Sequence, residues 1–162
     1  MADGATYRVL GVDPGLNITG YGVVEMSRRG PIVIEAGTIR PDAKASMAAR
    51  ISHIHAELSE ILAELKPQSA AVEKIYSHYA HPRTAILMAH ARGAVLMACH
   101  AAGIAVQDLP ATHVKKSLTG NGHASKLQVQ RTVQAVFSLL ELPQPPDVAD
   151  ALAIALCAAR SL

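Results

Sequence analysis

The sequence has no tryptophan, one phenylalanine and four tyrosines among 162 residues. The core must therefore be aliphatic, and an aromatic ring in a polar segment stands out. Charged residues are also few, at 17%, while half of the residues are hydrophobic, which excludes a disordered chain. The longest uninterrupted apolar run, Ala151 to Ala159, is nine residues and too short to cross a bilayer. No basic start is followed by a long apolar stretch, so no secretion signal and no membrane partner are expected, and the expected compartment is the cytoplasm. The two cysteines, Cys99 and Cys157, lie in apolar helical patterns and predict buried, reduced thiols rather than a disulfide. The length suits a single domain over residues 1–162.

What the sequence does hold is a separation of charge. Residues 1–73 carry seven Lys/Arg and nine Asp/Glu, a net of −2. Residues 74–131 carry seven Lys/Arg and a single acid, Asp108, a net of +6, together with six of the eight histidines. Residues 132–162 return to −2, with one Arg and three acids. A solvated surface with an uneven charge count is one explanation. A polyanion-binding face in the same molecule as an acidic metal site is the other.

The hydrophobic pattern predicts an α/β fold. Tyr7–Val12, Gly20–Glu25 and Pro31–Ile39 read as strands. Ser27-Arg28-Arg29-Gly30 connects the second and third, so the first three should form an antiparallel meander. Apolar residues from Met47 to Leu65 step by three and four, a helix capped by Ser46 and stopped by Pro67. Ser69–Val72 is a fourth strand ending at Glu73, and Ile104–Leu109 a fifth. Further helices are predicted over about 84–102, 112–118 and 125–140, with a terminal one opened by Asp147. The loop Thr119-Gly120-Asn121-Gly122-His123 is flexible by composition.

Four acids have informative neighbours. Asp13 follows an apolar strand and Glu73 ends another, while Asp147 and Asp150 share one face of the last helix at i and i+3. A carboxylate after an apolar strand is costly to bury unless paired or bound to a cation. Each acid also has a plainer role. Asp13 before Pro-Gly suits a turn, Glu73 suits a solvated strand end, and Asp147 with Asp150 suit a helix start. If all four converge, an all-oxygen site favours Mg²⁺ or Mn²⁺ over Zn²⁺. Two such ions can hold the attacking water and the leaving oxygen of a phosphodiester displacement.

The segments GVDPGLNITGYGVVE (11–25), AAVEKIY (70–76), ARGAV (91–95), HVKKSLTGNGHASKLQVQ (113–130) and PDVADALAIAL (146–156) resemble the RuvC-type Holliday junction resolvases, in that family's order and spacing. The resemblance covers essentially the whole chain. It implies an RNase H-like fold, a five-stranded mixed sheet with the first three strands antiparallel and helices on both faces. It assigns Asp13, Glu73, Asp147 and Asp150 to catalysis through two Mg²⁺ ions, with Mn²⁺ able to substitute. Some relatives carry His at the position of Asp147; Asp here keeps the site all-oxygen. The implied activity is hydrolysis to 5′-phosphate and 3′-hydroxyl ends by a homodimer. Symmetric nicks would resolve four-way junction DNA in recombination and repair, in cooperation with the RuvA and RuvB branch-migration complex.

The same resemblance places Lys126 at the scissile phosphate or attacking water, and Lys115 on DNA, with Lys116 sharing that work or facing solvent. Arg92 either binds backbone phosphate or ties its helix to a neighbouring carbonyl, and Arg83 is a further phosphate candidate. Tyr76 stands where the family commonly has Phe, and its ring can stack on bases near the crossover. Tyr79 is a second stacking candidate, and His78 with His81 lacks partners for a Zn²⁺ site. Other readings are an RNase H-like cutter of RNA–DNA hybrids or a transposase-type strand cutter, and a junction-binding protein without hydrolysis. An actin-like ATPase would need about twice the chain.

Overall fold

The computed structural model describes residues 6–76 and 81–162; His78 and Tyr79 lie outside the described residues. In chain order the elements are β1 (Tyr7–Asp13), β2 (Thr19–Ser27), β3 (Gly30–Ile39), α1 (Met47–Leu65) and β4 (Ser69–Glu73), then α2 (Pro82–Ala101) and β5 (Val106–Leu109). Three helices follow: α3 (Ala111–Thr119), α4 (Lys126–Phe137) and α5 (Pro146–Ala159). The strands form one sheet in the order β3-β2-β1-β4-β5. The β1–β2 and β2–β3 pairs are antiparallel, and the β1–β4 and β4–β5 pairs are parallel. This is the mixed RNase H-like sheet expected from the sequence.

Side-chain alternation along the strands builds two cores, one on each face of the sheet. Leu10 and Val12 of β1 and Val23 of β2 pack with Ile54, Leu58 and Leu62 of α1 and with Ala91, Val95 and Ala98 of α2. On the other face, Val9 and Val24 pack with Val114 of α3, Val129 and Val133 of α4, and Leu152 and Ala155 of α5. Helix α5 is buried along almost its whole length. Its run of small apolar residues is therefore a helix pressed between the sheet and the outer helices, not a surface element. Cys99 belongs to the first core and Cys157 to the second; both are free.

Helix ends follow their local chemistry, with three departures from the sequence pattern. Helix α2 starts at Pro82, two residues earlier than periodicity indicates, because proline at the first helical position gives up no hydrogen bond. Helix α4 stops at Phe137, where Ser138 turns left-handed (φ 52°), although the apolar pattern continues to Leu140. The Leu139 N–H then bonds back to the Gln134 carbonyl, Leu139 turns toward the core and Leu140 is fully exposed. The loop at 119–123 is hydrogen-bonded rather than open. Thr119 Oγ1 accepts from the Asn121 N–H at 3.1 Å, and Asn121 Oδ1 accepts from the His123 N–H at 2.9 Å.

Candidate active site

Parallel pairing decides which acids meet. Val12 of β1 is in register with Val72 of β4, so the next residues along, Asp13 and Glu73, leave the same edge of the sheet side by side. Val12 and Val72 both face the α1–α2 core. Alternation therefore turns Asp13 and Glu73 to the opposite face, the one that α5 covers. There the first turns of α5 bring in Asp150, and all three carboxylates line one open pocket of about 300 Å³. Asp147, one turn earlier, is close enough for its charge to act on both Asp13 and Asp150.

Two adjoining segments steady this edge. The turn after Asp13 is closed by Thr19, fully buried, whose hydroxyl donates to the Gly15 carbonyl at 2.7 Å and accepts from the Gly15 N–H at 3.2 Å. Arg50 of α1 donates to the Leu16 carbonyl in the same turn at 3.1 Å. On the far wall, Ser125 caps α4 in a reciprocal box. Its hydroxyl accepts from the Gln128 N–H at 3.2 Å, and Gln128 Oε1 accepts from the Ser125 N–H at 2.7 Å. That cap fixes the first helical residue, Lys126, at the pocket, where Lys115 of α3 joins it.

The electrostatics follow from this crowding. Burial, then the charges of Asp150, Glu73 and Asp147, push the Asp13 carboxyl up to about 8, with Lys126 opposing. Burial and Asp150 also raise Glu73, while Lys115 and Lys126 pull it down. Asp150 is raised by burial and by Asp147, against Lys126 and Lys115. Carboxylates forced together in a partly desolvated place are stabilised by a cation. An all-oxygen donor set suits a hard divalent ion such as Mg²⁺ or Mn²⁺. Among the described residues no three Asp, Glu, His or Cys side chains already close into a cage around one point; the acids face a shared space.

The remaining candidates separate. Tyr76 stands three residues beyond Glu73, 45% exposed, with Lys74 Nζ 5.9 Å from its ring centroid. Lys116 and Arg83 are exposed, on α3 and at the start of α2, and neither lines the pocket. Arg92 is mostly buried, and its guanidinium pairs with Asp108, the one acid of the basic block. Its tie is thus to a carboxylate on β5 instead of a carbonyl. Met88 was not legible as a site residue. It lines the pocket from α2, with Val114, Val129 and Ile154 forming an apolar wall behind the acids. Within an apolar helix, periodicity does not distinguish a pocket-facing methionine from a core one.

The chain matches the sequence model of the family described as crossover junction endodeoxyribonuclease RuvC over residues 9–158. It is 46% identical over 156 residues to a crossover junction endodeoxyribonuclease RuvC of Rhodopirellula baltica, covering 95% of this chain and 86% of that protein. The Thermus thermophilus RuvC bound to a Holliday junction substrate superposes with a TM-score of 0.87 at 34% identity, over 94% of this chain and 93% of that one. A yeast mitochondrial Holliday junction resolvase, 12% identical, shares the fold with a TM-score of 0.67 over 93% of this chain and 78% of that one. With the family model spanning nearly all of the sheet and helices described above, the chain belongs to the crossover junction endodeoxyribonuclease RuvC family.

Proposed function

We propose that this chain is a divalent-metal-dependent endodeoxyribonuclease that resolves four-way DNA junctions, cutting phosphodiesters to 5′-phosphate and 3′-hydroxyl ends. The carrying observation is the gathering of Asp13, Glu73 and Asp150, with Asp147 beside them, in the pocket that also holds Lys115 and Lys126. The four acids would hold two Mg²⁺ ions, or Mn²⁺ in their place. Such ions, when bound, lower the pKa of the attacking water and stabilise the leaving oxygen. Lys126 then neutralises charge on the scissile phosphate, and Lys115 holds a neighbouring one. Lys116 and Arg83 extend the cationic track along the backbone, and Arg92 contributes less because Asp108 already engages it. Tyr76 presents a ring to unpaired bases near the crossover.

The functional unit is a homodimer, with two sites matching the two-fold junction and nicking two strands symmetrically. Support comes from α2, which exposes two large apolar side chains, Ile86 (58%) and Met97 (65%), eleven residues apart and so on one face of the helix. Action with RuvA and RuvB in recombination and repair, in the cytoplasm and as one domain over residues 1–162, rests on family membership. Among the described residues no helix is long and apolar enough to cross a membrane. The test is a nicking assay on a four-way junction beside a linear duplex and an RNA–DNA hybrid of the same sequence. Paired nicks in the junction alone support the proposal; cleavage confined to the RNA strand of the hybrid overturns it.

A further inference from the structure

The face of the sheet that α5 covers is bare where the helix comes closest. Residues of β1 and β2 that point to this face include Gly11, Gly20 and Gly22, with Gly11 opposite Gly22 and Gly20 opposite Asp13. The three are not equivalent. A β-carbon at Gly11 would overlap the Ala151 carbonyl oxygen and lie 2.5 Å from the Ala155 nitrogen, in the middle of the helix. One at Gly22 would crowd only a side chain, Leu152 Cδ2 at 2.7 Å and Cγ at 3.0 Å, and would stand in ordinary contact with the Leu152 Cα at 3.5 Å. One at Gly20 would overlap the Asp147 carbonyl oxygen and lie 2.7 Å from its carbonyl carbon and 3.1 Å from its Cβ. Glycine in a strand commonly marks such an approach of another backbone.

We propose that Gly20 is a positioning residue of the metal site. The missing side chain lets the first turn of α5 settle onto β2, and that height sets how near Asp147 and Asp150 come to Asp13. The inference rests on the metal-site reading of those acids. The geometry separates the two ends of the helix. Leu152, Leu156 and their neighbours anchor α5 farther along, each at most 1% exposed. A methyl group at Gly20 therefore lifts the acid-bearing turn while the anchored part stays seated. A ligand displaced by a fraction of an ångström weakens binding of an ion with strict geometric demands.

The experiment compares Gly20→Ala and Gly22→Ala with the unsubstituted chain, using Mn²⁺ as the probe. Binding is read from the loss of the free-Mn²⁺ electron paramagnetic resonance signal, and folding from metal-free thermal melting. Gly20→Ala should melt cooperatively yet bind Mn²⁺ about 10- to 100-fold more weakly, the range seen when groups supporting metal ligands are altered. Raised Mn²⁺ should restore its junction cleavage, with the KM for junction unchanged. Gly22→Ala should lose thermal stability and keep its Mn²⁺ affinity, the behaviour of a purely structural glycine. Unchanged affinity in Gly20→Ala overturns the proposal. So does failure of that variant to fold, because the glycine would then support the whole helix rather than the site. If the unsubstituted chain binds no Mn²⁺, the metal-site reading itself falls, and this inference with it.

Discussion

Asp13 is the residue on which charge, burial and chemistry meet. Its carboxyl is lifted to about 8 from an ordinary 3.8, and Glu73 and Asp150 are lifted with it. Between about pH 4 and pH 8 the metal-free folded chain therefore holds protons that the unfolded chain releases, and its stability falls as pH rises through that window. Metal-free melting temperatures should be higher near pH 5 than near pH 8, and added Mg²⁺ should raise them most at the alkaline end; the opposite slope would remove the crowding argument. Asp13→Asn should flatten that slope, bind junctions as before and leave no measurable cleavage in a gel assay. Tyr76→Ala should slow cutting by about 1–3 kcal/mol of lost stacking while junction affinity changes little. Equal rates for the two proteins would make Tyr76 an ordinary exposed ring.

At the scale of elements, local chemistry was the legible part. Ser125, immediately before Lys126, and Ser46 at the start of α1 cap their helices as expected, with Ser46 Oγ accepting from the Ala49 N–H at 3.2 Å. Strand-end acids are visible in the sequence because apolar runs lead up to Asp13 and Glu73. Their meeting is not, because it depends on β1 and β4 pairing in parallel across a separation of about sixty residues. For the same reason the partner of Arg92 had no local signal: Asp108 reaches it from β5. The end of α4 is not legible, because hydrophobic periodicity runs on through Leu139 and Leu140, whereas a left-handed Ser138 breaks the helix. The capping box ties this scale to function. Ser125→Ala should lower stability by about 1 kcal/mol in denaturant unfolding. Freed from its anchored first turn, Lys126 should then support slower cleavage; an unchanged rate would mean that Lys126 needs no such anchor.

Across the whole molecule, a small net charge hides an arrangement. The +2 total combines a +6 stretch between residues 74 and 131 with acidic flanks. The fold brings the two together at one edge, with Lys115 and Lys126 beside the acids from β1, β4 and α5. Junction affinity should fall steeply with salt, by a log–log slope of about 0.9 for each phosphate neutralised. A flat response would deny the basic segment its role. The most direct test of the central claim is cleavage of a mobile four-way junction by the purified chain, with Mg²⁺ and with the metal chelated. Paired nicks in strands of like polarity that need the metal and vanish in Asp13→Asn are the predicted result. Undiminished cutting by Asp13→Asn, or in the absence of divalent metal, would contradict it.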